Sequence, residues 1–141
     1  MYFKRNIESL SAIFDFLDAF YLKYGLSGDV SFALNLAVEE IFTNLVKYNQ
    51  GNIGKVRITL KKEEGRAVVI IKDFALRPFD VTQVKSNVHS LPLEKRPPGK
   101  LGLHLVKNVI DELKYVYNEQ KHESAITLIK YLGENHVADQ R

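Results

Sequence analysis

The sequence predicts an α+β protein, a two-layer sandwich with one layer of helices on one sheet. Three observations carry that prediction. Two apolar runs in the first third of the chain recur at helical spacing, which gathers two helices near the start. Strand-like runs come in neighbouring pairs joined by turn residues. A third helical run stands between those pairs, behind a long stretch that holds every proline. The expected order is β-α-α-β-β-lid-α-β-β.

Met1 to Arg5 reads as a short strand. From Ile7 to Tyr24 the residues Ile7, Leu10, Phe14, Leu17, Tyr21 and Tyr24 mark one helix face. Asn6 is placed to cap its start and Gly25 to end it in a left-handed conformation. Ser27-Gly28-Asp29 offers a second N-cap. The helix that follows buries Leu34, Ala37, Val38, Ile41, Leu45 and Val46. It should end near Tyr48, because Asn49-Gln50-Gly51-Asn52 is turn chemistry. Val56 to Leu60 alternates apolar and polar, Glu64-Gly65 makes a turn, and Ala67 to Ile71 is a near-continuous apolar run suited to a central strand.

Phe74 to Lys100 carries Pro78, Pro92, Pro97 and Pro98 and little sustained periodicity, apart from a short helical stretch around Val81 to Lys85. So long a connection inside a compact domain is usually functional, often a lid, although a disordered insertion has the same composition. Leu101 to Leu113 then reads as the third helix. Lys114 to Asn118 and Ala125 to Leu132 are two more strands, joined by a turn at Glu119 to Ser124. The tail from Gly133 is polar.

The 141 residues suit one domain, 1–141, with a real core. No apolar run approaches the ~20 residues needed to span a bilayer. The start lacks the apolar stretch of a signal peptide, and there is no cysteine, which agrees with a cytoplasmic protein. The net charge of +3 comes from scattered residues, a poor footprint for direct nucleic-acid binding. His89, His104, His122 and His136 are isolated and form no metal-binding spacing.

Chemistry concentrates in three places. Glu40 and Asn44 are four residues apart on the second helix, so they share a face, with Lys47 close by. A carboxylate can take a proton, an amide oxygen can hold a hard cation, and a lysine can meet an anion. The same three residue types also describe an ordinary solvated face. Asp73 follows the most buried strand, where it serves either as a turn former or as an acceptor for an exocyclic amine. Gly99-Lys100-Leu101-Gly102-Leu103 opens the third helix, where glycines let backbone N–H groups approach an anion. Lys95 and Arg96 add positive charge nearby.

Taken in chain order, Glu-x-x-x-Asn on a helix, Asp after a strand, a long loop and Gly-x-x-Gly into a helix resemble the GHKL (Bergerat) ATPase fold. The likeness runs from about residue 30 to 131. It is closest to the bacterial anti-sigma-factor serine/threonine kinases, through Arg77-Pro78-Phe79-Asp80, Gly99 to Val106 and Asp111-Glu112-Leu113-Lys114-Tyr115. The resemblance implies helices on one face of a mixed sheet and a long ATP lid. It implies Glu40 as general base toward a serine or threonine hydroxyl and Asn44 as magnesium ligand. Lys47 would lie near the phosphates, and Asp73 would recognise adenine. The nucleotide would also meet the positions of Ala75, Gly99, Lys100, Leu101, Gly102 and Leu103. The cofactors implied are ATP and Mg2+. The partners implied are a sigma factor and a STAS-domain anti-sigma antagonist, with no membrane. Many members are dimers, so a homodimer is among the expectations.

The chain departs from the pattern in three places. Ala75 stands where the family usually has glycine, Lys100 replaces the second glycine of a pair, and Lys121-His122 lacks a common Gly-Asn turn. Three other readings stay open. One is an ATP-binding regulatory module that sequesters a protein without transferring phosphate. Another is the ATPase domain of a sensor kinase, against which Glu40 argues. The last is a small-molecule enzyme unrelated to ATP.

Overall fold

The computed structural model describes residues 1–48, 54–74 and 100–133. Strand β1 (Tyr2–Lys4) leads through a short 3-10 turn (Ile7–Ser9) into helices α1 (Leu10–Tyr24) and α2 (Gly28–Tyr48). Strands β2 (Lys55–Glu63) and β3 (Arg66–Asp73), helix α3 (Lys100–Val109), and strands β4 (Glu112–Asn118) and β5 (Glu123–Tyr131) follow. The α+β class and the element order are those expected from the sequence. Most of the expected lid (75–99), the Asn49–Asn52 turn and the tail from 134 lie outside the described residues. So do the Val81–Lys85 stretch and Arg77-Pro78-Phe79-Asp80.

Helix α1 buries Ile13, Leu17, Phe20 and Tyr21. Gly25 ends it at φ 60°, its N–H bonded to the Leu22 carbonyl and that of Leu26 to the Tyr21 carbonyl. Those two bonds satisfy carbonyls that a helix end otherwise leaves open. The start differs from expectation. Residues 7–9 wind as a 3-10 turn, and the Asn6 side chain makes no capping bond. The Ser9 hydroxyl donates to the Lys4 carbonyl instead, at 2.7 Å. At the next helix the Ser27 hydroxyl accepts from the Val30 N–H at 3.3 Å, the expected cap.

The strands form one sheet in the order β1-β2-β3-β5-β4. Every neighbouring pair is antiparallel, so the expected mixed sheet is not what forms among the described residues. The reason lies in the placement of β5. Strands β3 and β4 run the same way, as strands on either side of a helix often do, but β5 folds back between them and separates the parallel pair. Glu63 faces Arg66 across the two-residue Glu64-Gly65 turn, with Gly65 at φ 75°. That positive φ is what glycine supplies at no steric cost.

Helix α3 stops at Val109, not at Leu113. Lys130 Nζ donates to the Val109 carbonyl at 3.0 Å, and Asp111 accepts the Tyr131 N–H at 2.6 Å. These contacts pull the chain into β4 early. Leu113 then faces Leu128 from a strand, so an apolar residue that fits helical spacing serves the core from the sheet. Helix α2 packs on α1, α3 and β5, while α1 packs on β2. The core between the layers includes Phe3, Leu17, Leu34, Ile41, Phe42, Ile58, Ile71, Val106, Ile126 and Leu128.

Candidate functional site

Among the described residues, Asn44, Asp73 and Ser124 are the polar residues buried as a whole, and the Arg5 side chain is buried beside Asp73. Polar groups taken out of water need partners, so these positions mark where the fold departs from simple packing.

Asn44 lies in the second half of α2 and is 2% exposed. Its Nδ2 donates to the Glu40 carbonyl at 2.6 Å, and the Thr43 hydroxyl donates to the same oxygen at 3.1 Å. That bond fixes the orientation of the amide, because only the nitrogen can face a carbonyl. Oδ1 is therefore turned away from the helix backbone, buried and, among the described residues, without a hydrogen-bond partner. An orphaned buried acceptor costs about 1–3 kcal/mol. An amide oxygen is a donor suited to Mg2+, which takes only one or two protein ligands when phosphates complete its shell. The residues present thus fit a magnesium ion held with a nucleotide. Among the described residues no group of three His, Cys, Asp or Glu side chains could hold a metal on its own.

Glu40, one turn earlier, is half-buried. Burial pushes its carboxyl above the usual carboxylate range, the neighbouring Glu39 adds to the shift, and Lys47 pulls it back. A half-buried carboxylate with a raised pKa has the character of a general base. Lys47 is exposed on the last turn of the same helix.

Asp73 ends β3 and is 1% exposed. Across the sheet it pairs in register with Ser124 at the start of β5, also 1% exposed. The hydroxyls of Ser124 and Tyr115 lie 3.4 Å apart. Asp73 is ion-paired with Arg5, which follows β1. A carboxylate beside a hydroxyl offers acceptor and donor functions to one edge of a nucleobase.

Neither Ser124 nor Arg5 was singled out by the sequence. Ser124 was read as the last residue of a turn. The signal that finds it is strand period: it is in phase with Ile126 and Leu128, both buried. Arg5 sits beside Lys4 and has the look of surface charge; its partner is set by sheet register, which no local pattern carries.

Lys100, Leu101, Gly102 and Leu103 form the first turn of α3, where helix N–H groups lack internal acceptors and attract anions. Helix α3 packs against α2, which carries Glu40, Asn44 and Lys47. Gly99 and Ala75 lie outside the described residues, as do Lys95 and Arg96. No described helix is long and apolar enough to cross a membrane.

The described part of the candidate site thus comprises a buried amide on α2, a buried carboxylate at the end of β3 and the first turn of α3. The profile of the histidine kinase-like ATPase domain matches residues 3–130, and the chain belongs to that family. Over 109 residues it is 25% identical to proteins named serine-protein kinase RsbW from Bacillus cereus (strain AH820) and Bacillus thuringiensis (strain Al Hakam). Each match covers 74% of this chain and 66% of the relative. The histidine kinase AdeS of Acinetobacter baumannii shares the fold at a TM-score of 0.50 and 11% identity, over 95% of this chain and 68% of that one.

Proposed function

We propose that the protein binds ATP with Mg2+ and transfers the γ-phosphoryl group to a serine or threonine of a STAS-domain antagonist, and that it also sequesters a sigma factor. The observation that carries this reading is the orphaned Asn44 Oδ1, a buried hard-cation donor one helical turn from the raised carboxyl of Glu40. The similarity to proteins named serine-protein kinase RsbW supports a protein serine as the acceptor; the antagonist and the sigma factor follow from the resemblance of the motifs.

When bound, ATP with its magnesium ion would supply the phosphoryl group and neutralise its developing charge. Asn44 would hold the ion through Oδ1. Glu40 would take the proton of the acceptor hydroxyl as that oxygen bonds to phosphorus and the bond to ADP breaks. Lys47 and the first turn of α3 would meet the phosphate oxygens. Asp73 and Ser124 would read the base, Asp73 accepting from its exocyclic amine. Catalysis of this kind rests on positioning and charge more than on covalent chemistry.

The test is phosphorylation of a STAS-domain protein by wild type and by Glu40→Ala. Transfer by wild type that falls at least about 100-fold in the variant, with ATP binding kept, supports the reading. Equal transfer by both removes Glu40 from the base role. ATP binding without transfer by wild type favours a regulatory module that only sequesters.

A further inference from the structure

Arg5 is built into the base end of the site. Lys4, the last residue of β1, pairs with Lys55, and the next residue of β2, Val56, pairs with Asp73. Arg5 therefore leaves the sheet at the end where β3 finishes. The turn around it is pinned from both sides. Phe3 is buried with its ring on Phe16, centroids 5.8 Å apart. Beyond it, the Asn6 N–H and the Ser9 hydroxyl both donate to the Lys4 carbonyl, at 2.8 and 2.7 Å. The side chains of Arg5 and Asp73 meet as an ion pair at 2% and 1% exposure. Dry ion pairs are uncommon, because both charges must leave water. One at the position expected to read a nucleobase calls for a chemical reason.

An exocyclic amine needs an acceptor. A buried carboxyl with no cation nearby favours its neutral form, which gives up part of its acceptor capacity to a proton. A guanidinium stays charged and, being planar, fixes the rotation of the carboxylate that it meets. Contact at Oδ1 does not exhaust a carboxylate, which has about four acceptor sites. Ser124 stands in register with Asp73 on the neighbouring strand, where a hydroxyl can add a donor to that acceptor.

We propose that Arg5 is a positioning residue for base recognition: it holds Asp73 as a rotationally fixed acceptor and so sets the preference for a base that carries an exocyclic amine. The proposal rests on the nucleotide-binding reading above. It adds the residue that follows β1, remote in sequence from the other candidate residues, to the determinants of specificity.

The test measures dissociation constants of the full chain for ATP, for ITP, whose base carries oxygen in place of the amine, and for inorganic tripolyphosphate, all with magnesium. The variants are Arg5→Met and Arg5→Lys, with thermal melts to check folding. Wild type should prefer ATP to ITP by at least about tenfold. Arg5→Met should lose most of that ratio while tripolyphosphate affinity stays within about threefold, because phosphate contacts are separate from the base. Arg5→Lys should lose at least about threefold of the ratio, since an ammonium is a point charge without the planar fork. If Arg5→Met does not fold, Arg5→Lys alone decides. An unchanged ATP-to-ITP ratio in the folded variants overturns the proposal, as does a parallel loss for all three ligands, which marks a purely structural pair. Tighter ATP binding by Arg5→Met also overturns it, because the contact then blocks the site. Failure of wild type to bind ATP refutes the nucleotide reading instead, so the two failures are distinct.

Discussion

Replacing Asn44 by alanine separates a ligand-holding amide from a structural one. Four contributions act on the ligand-free protein. Removing the orphaned Oδ1 relieves a penalty of about 1–3 kcal/mol. Loss of the 2.6 Å bond from Nδ2 to the Glu40 carbonyl costs about 1 kcal/mol. Alanine's better helix propensity returns roughly 0.5 kcal/mol, and the small void left behind costs about 1 kcal/mol. The sum runs from about −0.5 to +1.5 kcal/mol, so Asn44→Ala should melt close to wild type or up to about 6 °C above it. The response to ligand should change in the opposite sense. At 100 times its dissociation constant, magnesium–ATP stabilises a folded protein by about 2.7 kcal/mol, or roughly 8–13 °C at this size. Wild type should show that shift, and Asn44→Ala should lose most of it. Differential scanning fluorimetry with and without magnesium and ATP reads both effects. A ligand-free melt several degrees below wild type would make Asn44 structural, and an undiminished shift would remove it from the metal site.

Other substitutions probe other links. Glu40→Gln should abolish phosphoryl transfer while keeping nucleotide binding. Because the folded-state pKa of Glu40 is raised, folding is favoured below its unfolded pKa, and that benefit is lost as pH rises through the folded value. The glutamine variant should therefore be more stable than wild type at neutral pH and equal to it in acid, as chemical denaturation at the two pH values would show; the opposite ordering contradicts the environment assigned to Glu40. Gly25→Ala should destabilise by roughly 1–2 kcal/mol through its φ of 60° alone, since among the described residues, chain neighbours aside, nothing lies within 4 Å of an added Cβ. An unchanged urea midpoint would refute that. His122, at φ 48°, is the non-glycine residue with positive φ among the described residues, and His122→Gly should stabilise by about 0.5–1 kcal/mol in the same assay.

Local chemistry made most elements legible. The Gly25 stop, the Ser27 cap and the Glu64-Gly65 turn each rest on a few neighbouring residues. What failed was set at a distance. The end of α3 depends on Lys130 and Asp111 joining β5 to the helix terminus, and Leu113 fits either a helix or a strand. The direction of the sheet depends on β5 lying between β3 and β4, which no residue pattern announces. In the site, Asn44 and Asp73 stood out because each carries a polar group at the edge of an apolar run. Ser124 was hidden in a turn-like string, and Arg5 becomes meaningful only once β1 is paired with β2.

The central claim is that this chain binds magnesium–ATP through Asn44 and Asp73. Isothermal titration calorimetry of the protein with ATP, with magnesium and then with EDTA, tests it directly. Wild type should show saturable one-to-one binding that weakens sharply without magnesium, and Asn44→Ala should lose that dependence. No heat of binding at millimolar ATP, from a chain that melts cooperatively, would contradict it.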